Sequence, residues 1–295
     1  MIVAQVFGAT AMLWDGGSRV EATLAKRLKT GADRWTTILA VGDEVDVERD
    51  ARGNLSIIAV SPRRTYLSRA AGQQGEVQVI AANAEQAVIV SSVAEPPFRP
   101  GLVDRWALLA LRGGMTPYLC VNKVDLLPPE EVEREIAEAA APLPHVLVSA
   151  KTGVGVKELH DLLRGRITVL VGHSGVGKSS LLHEIIPEEE ISTGEVSAKN
   201  LKGRHTTTSS RLYHLPEGGI VIDTPGVRSV SLGPTTAREV AAIFAEIRGA
   251  APCRFRECTH RMEPGCSVLA GVEAGEIPRQ VYGRYRKLLL EAEVT

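Results

Sequence analysis

Gly172-His173-Ser174-Gly175-Val176-Gly177-Lys178-Ser179 decides how the chain is read. The octet follows an apolar run, Ile167 to Val171, and leads into Ser180, Leu181, Leu182 and Ile185, whose spacing is helical. A strand, a glycine-rich turn and a helix start are the context that a phosphate-binding loop needs. The glycines let the backbone curl until several N–H groups converge, and the helix N-terminus adds partial positive charge at the same point. Gly172, His173, Ser174, Gly175, Val176, Gly177, Lys178, Ser179 and Ser180 are therefore expected to wrap the phosphates of a nucleotide. Lys178 would reach the β- and γ-phosphate oxygens, and the Ser179 hydroxyl would hold Mg²⁺.

Outward from this loop, the length of 295 residues suggests about two domains, or three if the flanking ones are small. A formal net charge of −1 leaves no global basic field, so any nucleic-acid contact must come from local patches. No apolar run approaches the ~20 residues of a membrane span, and the first residues lack a secretory pattern. A soluble, cytoplasmic protein with no membrane partner is expected. Of the four cysteines, Cys253, Cys258 and Cys266 crowd together with His260, which suggests a metal rather than disulfides.

Before the loop lie two differently patterned regions. From Met1 to about Pro62, five short β-like runs (Ile2–Val6, Ala11–Trp14, Val20–Leu24, Glu44–Glu48, Leu55–Val60) are broken by turn residues such as Asp15-Gly16-Gly17 and Arg52-Gly53-Asn54. Five such strands fit a small closed barrel, most simply an OB-fold. Arg19, Lys26, Arg27, Lys29 and Arg34 interleave there with Trp14 and Trp35. They read equally as a solvated barrel face and as an RNA-contacting face with a stacking platform. After Pro62 strands alternate with helices, predicting a mostly parallel sheet covered on both faces. Gln86–Val93, Tyr118–Val121 and Val146–Val148 are its strands, and Leu102, Trp106, Leu109 and Leu111 mark an amphipathic helix.

The strand Tyr118–Val121 ends in Asn122-Lys123-Val124-Asp125, at the strand end where open α/β sheets bind ligands. A carboxylate there accepts both N1–H and the exocyclic amine of guanine, so Asp125 is the expected base selector. Asn122 and Lys123 would buttress it. The next strand ends in Ser149-Ala150-Lys151, where the Ala150 N–H is expected to donate to guanine O6 and Ser149 and Lys151 to flank the base.

Beyond the loop, Pro187 to Ser210 has little apolar periodicity and contains Gly203-Arg204-His205-Thr206-Thr207-Thr208. A stretch that long is usually functional. One of these threonines, with Thr207 the choice among Thr206, Thr207 and Thr208, is expected to reach Mg²⁺ and the γ-phosphate and to become ordered only when that phosphate is present. The strands Arg211–Leu215 and Gly219–Ile222 lead to Asp223-Thr224-Pro225-Gly226. Asp223 would hold Mg²⁺ through water, and the Gly226 N–H would sense the γ-phosphate. Val227 follows, where Ras-like enzymes carry a water-orienting glutamine, so His205 is the expected catalytic group beside Lys178, the alternative being that it only packs the loop or binds RNA. Thr236-Ala237-Arg238-Glu239 opens a helix expected to run through Ile247. Cys253, Cys258, His260 and Cys266 then make a closed structural zinc set. Cys120 reads as plain core. The last helix, Arg279 to about Glu293, carries Arg279, Arg284, Arg286 and Lys287, read as a solvated face or a nucleic-acid contact.

A conventional small GTPase runs from the P-loop through its switches to NKxD and SAK; here NKVD and SAK come first. With this order, GRHTTT, SGVGKSS, DTPG and the Cys–Cys–His–Cys spacing, nearly the whole chain resembles the ribosome small subunit-dependent GTPase A (RsgA) family of circularly permuted GTPases. The resemblance implies a multi-domain α/β fold: an RNA-contacting OB-fold β-barrel over 1–62, a permuted P-loop GTPase domain over 63–232 and a mainly helical zinc-binding domain over 233–295. It implies hydrolysis of GTP to GDP stimulated by the small ribosomal subunit, binding to that subunit and its rRNA, and a role in its late maturation. A monomer is expected, and the N-terminal extension of some relatives is expected to be short here. The competing reading is a regulatory GTPase switch whose zinc-dependent tail binds a protein. Asp125 disfavours an ATP-driven enzyme.

Overall fold

The structure, a computed structural model, describes residues 1–26, 28, 37–71, 76–139, 143–187, 210–226, 230–233 and 235–294. Five strands open it: β1 (Ile2–Phe7), β2 (Thr10–Trp14), β3 (Arg19–Leu24), β4 (Val45–Arg49) and β5 (Leu55–Val60). Their order is β1-β2-β3-β5-β4, with β3 and β5 parallel, and an Ile2–Glu44 bridge brings the fourth strand back to the first. Alternate residues turn inward, and Val3, Ala11, Leu13, Ala22, Val45, Leu55 and Ile57 fill the interior. The expected turns close on aspartates. Asp15 accepts from the Gly17 and Ser18 N–H groups at 2.9 and 2.8 Å, and Asp50 accepts from those of Arg52 and Asn54.

A hairpin follows that the sequence reading did not anticipate: β6 (Tyr66–Ala71) paired antiparallel with β7 (Glu76–Ala82). The core sheet is then built from β8 (Gln86–Ser92), β9 (Thr116–Asn122), β10 (His145–Leu147), β11 (Ile167–Gly172), β12 (Arg211–His214) and β13 (Ile220–Asp223). Its order is β10-β9-β8-β11-β13-β12, parallel except for β12. Helices cover both faces, as the alternation predicts. Ala87, Ile89, Val121, Val169 and Val171 pack towards α1 (Pro100–Arg112), while Val88, Val90, Cys120, Leu170 and Val221 pack towards α3 (Val156–Leu163) and α4 (Lys178–Ile185). The helix α2 (Pro129–Ala139) carries Glu130 and Glu131 in its first turn, beside the positive end of its dipole.

The core sheet does not stop at β12. Gln5 of β1 pairs with Arg211, so among the described residues one eleven-stranded sheet runs from the core into the N-terminal strands. Trp14 lies on His214 at this seam, ring centroids 4.1 Å apart, and Arg19 donates to the Leu212 carbonyl at 3.2 Å. Of the two readings of this region, the solvated face with its tryptophans partly in core fits Trp14, and both Trp14 and Arg19 join the N-terminal strands to the core sheet. Lys26 is exposed, whereas Arg27, Lys29, Arg34 and Trp35 lie outside the described residues.

The C-terminal region consists of α5 (Ala237–Ala242), α6 (Ala245–Arg248), α7 (Ser267–Glu273) and α8 (Arg279–Val294). The expected capping box is present: Thr236 Oγ1 accepts from Glu239 N–H while Glu239 Oε2 accepts from Thr236 N–H. The single helix expected through Ile247 is instead two, because Phe244 takes extended dihedrals (φ −104°, ψ 104°) and buries its ring. Phe244, Tyr285, Leu288 and Leu289 share one core with Trp106 and Val103 of α1. Arg284 donates to both carboxylate oxygens of Asp104 on α1, with little of either side chain exposed. Arg284 is therefore neither solvated nor offered to nucleic acid, which corrects both readings of it. Arg105 pairs with Glu291, and Arg112 with Glu239, so that among the described residues three ion pairs tie α1 to the C-terminal helices.

Candidate nucleotide and metal sites

The ends of β8, β9, β11 and β13 bring the expected motifs to one edge. Gly177, the residue before α4, has φ 88°, and a Cβ there would lie 2.3 Å from Asn122 Nδ2. Only glycine permits that approach. Asn122 uses it to join two motifs far apart in sequence: its Nδ2 donates to the Val176 carbonyl at 3.0 Å, and its Oδ1 accepts from the Ala150 N–H at 3.1 Å. One buried amide thereby fixes the glycine loop against the Ser149–Lys151 turn.

At the base end, the Asp125 carboxylate is exposed and accepts from the buried Ser149 hydroxyl at 2.7 Å. That bond orients the carboxylate and leaves its second oxygen free of this partner. Lys123 takes a left-handed conformation (φ 64°) and its ammonium donates to the Glu95 carbonyl. Lys151 is exposed beyond the turn.

At the phosphate end, the buried Lys178 ammonium donates to Asp223 Oδ1 and to the Thr224 carbonyl. Burial pushes the Asp223 carboxyl above its ordinary range, against the pull of the Lys178 and Arg211 charges. Ser174, Gly175, Ser179 and Ser180 are exposed along the loop and the first turn of α4. A Cβ on Gly226 would sit 3.3 Å from Ser174 Cα, so the DTPG turn rests directly on the loop. The His173 ring bridges two neighbours, its Nε2 3.3 Å from Arg99 Nη1 and its Nδ1 2.7 Å from the Ser174 carbonyl oxygen. His205, Thr207 and Val227 lie outside the described residues.

Three residues at this edge escaped sequence reasoning. Arg99 and Glu95 sit in a proline-flanked loop with no motif to announce them. Arg211 had a signal. The strands around Glu217-Gly218-Gly219 form a hairpin, and counting out from that turn sets Arg211 opposite Asp223.

In the C-terminal region the four ligand atoms of Cys253, Cys258, His260 and Cys266 lie within 4.8 Å of one another. His260 Nδ1 is 3.5 Å from Cys253 Sγ and 3.4 Å from Cys266 Sγ. The loop is held from both sides. Tyr282 and Tyr285 of α8 donate to the His260 and Thr259 carbonyls, and the Glu263 carboxylate accepts from the N–H groups of Thr259, Arg261 and Met262. Partial burial would raise the Glu263 carboxyl, but these bonds and the Thr259 hydroxyl hold it far below its ordinary range. The cluster has the donors and the spacing to hold one metal ion.

A family model of the RsgA GTPase matches residues 60–233. The small ribosomal subunit biogenesis GTPase RsgA of Chlorobaculum parvum is 37% identical over 300 residues, covering 98% of this chain and 96% of its own length. The protein of the same name from Gemmatimonas aurantiaca is 37% identical over 294 residues, covering 98% and 95%. Among solved structures, YjeQ from Thermotoga maritima superposes with a TM-score of 0.76 at 29% identity, covering 99% of this chain and 97% of that one. YloQ, a circularly permuted GTPase, gives a TM-score of 0.70 at 26% identity, covering 99% and 94%. With its guanine-type and phosphate-type motifs on one sheet edge in permuted order, the chain belongs to the RsgA GTPase family and is a GTP-hydrolysing enzyme.

Proposed function

We propose that the chain acts in late maturation of the small ribosomal subunit, binding the subunit in its GTP state and leaving it after hydrolysis. The single observation that carries the nucleotide half of this reading is the Asn122 side chain, bonded to both the glycine loop and the Ala150 turn. Asp125 then selects guanine with Asn122, Lys123, Ser149, Ala150 and Lys151 around the base, and the loop from Gly172 to Ser180, with Gly226, takes the phosphates. The exposed Ser179 hydroxyl and the Asp223 carboxylate are hard oxygen donors of the kind Mg²⁺ prefers, and Thr207 would complete them. Mg²⁺, when bound with GTP, neutralises charge on the β- and γ-phosphates. In forming that complex Lys178 exchanges its Asp223 contact for phosphate oxygens, and His205 positions the attacking water.

The metal at the Cys₃His cluster is zinc on this reading. Zn–S bonds of about 2.3 Å make tetrahedral edges of about 3.8 Å, and the Cys253–Cys266 sulfur separation is 3.8 Å. The barrel order β1-β2-β3-β5-β4 supports an OB-fold over 1–62, ahead of a GTPase domain over 63–232 and a zinc-binding domain over 233–295. The relatives' names support the ribosomal partner, and the protein would work as a cytoplasmic monomer on the subunit's rRNA. Co-sedimentation with purified small subunits tests this. Binding with a non-hydrolysable GTP analogue and loss with GDP is expected; equal pelleting in both states, or none in either, overturns it.

A further inference from the structure

Arg211 occupies a position that neither the nucleotide motifs nor the metal ligands account for. It is the first residue of β12, directly opposite Asp223 in an antiparallel pair. Residues opposite one another project from the same face of a sheet, with Cβ atoms about 5 Å apart. The face is the one from which Asp223 meets Lys178. Asp223 thus has two cationic neighbours, one in contact from the glycine loop and one held across the strand pair. They differ in what a bound nucleotide asks of them. Lys178 belongs to the glycine loop and is drawn to phosphate oxygens when a nucleotide binds, whereas Arg211 lies outside that loop, its backbone held by β-pairing on both flanks, to Asp223 on β13 and to Gln5 on β1.

We propose that Arg211 is a positioning residue that holds a permanent positive charge beside Asp223, weakening the site for Mg²⁺ and strengthening it for the bare phosphates of the nucleotide. The inference rests on the GTPase reading above. A fixed cation repels a divalent ion and attracts a polyphosphate, so its two effects have opposite signs. A tenfold change in affinity corresponds to about 1.4 kcal/mol, the order that a unit charge exerts on a nearby divalent ion through largely solvent-like screening. The functional consequence is a nucleotide complex that gives up Mg²⁺ readily yet keeps its hold on the phosphates.

Fluorescent GDP binding to the full-length protein, measured in EDTA and then over a Mg²⁺ titration, separates the two effects. Arg211→Gln should bind the analogue about tenfold more weakly in EDTA while its Mg²⁺ half-saturation moves about tenfold lower. Arg211→Met, which keeps the apolar stem, should repeat both shifts, and Arg211→Lys should stay near the wild type. A merely structural role would weaken both affinities together, and that result, or no shift in Mg²⁺ response in either neutral variant, overturns the inference. Wild-type protein that binds no guanine nucleotide would instead overturn the reading on which it rests.

Discussion

Replacing Arg284 with methionine should loosen the C-terminal helices from α1, and the size of the effect follows from what is left behind. Asp104 is only 1% exposed, and both of its carboxylate oxygens accept from Arg284. Removing one partner of a buried pair leaves an uncompensated charge, at a cost of about 3–5 kcal/mol. Arg284 also lies 5.7 Å from the Phe244 ring centroid, a contact worth a further ~0.5–1 kcal/mol. A loss near 4 kcal/mol is a large part of the ~5–15 kcal/mol by which a folded protein exceeds its unfolded state. The pH dependence adds a signature. Burial already pushes the Asp104 carboxyl above its ordinary range, against the pull of Arg284. In the variant that pull is gone and the carboxyl climbs further, while the unfolded chain still titrates near 3.9. The native variant then holds a proton that the unfolded chain gives up, so the deficit is complete above the native pKa and fades as pH falls towards about 4. Urea unfolding at about pH 8 and pH 5 measures both values. Asp104→Asn in the same background should recover much of the loss, because an amide needs no counter-ion. A deficit below about 1 kcal/mol at the higher pH, or one that does not shrink on acidification, would refute the reasoning.

Three further outcomes are expected. Asp125→Asn keeps the bond from Ser149 but presents an amide N–H to the guanine donors, and should weaken GTP binding by about 2–4 kcal/mol; nucleotide titration checks it, and an unchanged GTP affinity would sink the assignment. Cys258→Ser should abolish stoichiometric zinc and make the segment around the cluster protease-sensitive, since zinc binding in small modules is worth about 10–16 kcal/mol and is inseparable from their folding. His205→Ala should retain GTP and subunit binding but lose subunit-stimulated phosphate release; full stimulation in that variant eliminates His205 as the group that positions water.

The parts legible in the sequence were those whose signal is local. The apolar runs that became β8, β9, β11 and β13 are continuous because both of their faces are covered, and each motif falls at the carboxyl end of its run. Periodicity reports which face of an element is buried, not which element covers it. Trp14 and Arg19 therefore stay open between a solvated face and a nucleic-acid surface, because their partners His214 and Leu212 lie about two hundred residues away. Arg284 misled for the same reason, since its charge is matched only by an aspartate on another helix. The β6–β7 hairpin was missed because Ser68, Arg69, Gln78 and small alanines give it no strong alternation, and its Arg69–Gln78 bonds are visible only once the strands are paired.

Chain order is also the order in which a ribosome delivers the strands. A conventional GTPase makes its central strand at the outset, but here β8, β9 and β10 are synthesised before β11, the strand that must lie against β8. Gln86 waits for Thr168, 82 positions later, to which its amide donates at 2.8 Å in the finished core. Through that interval one edge of β8 has no strand to pair with, and an open edge recruits whatever strand is near. Guanine nucleotide cannot relieve the wait. The base-reading turns emerge early, whereas the glycine loop that grips phosphate arrives with the missing strand itself. The nascent protein must therefore complete its sheet without help from its own ligand.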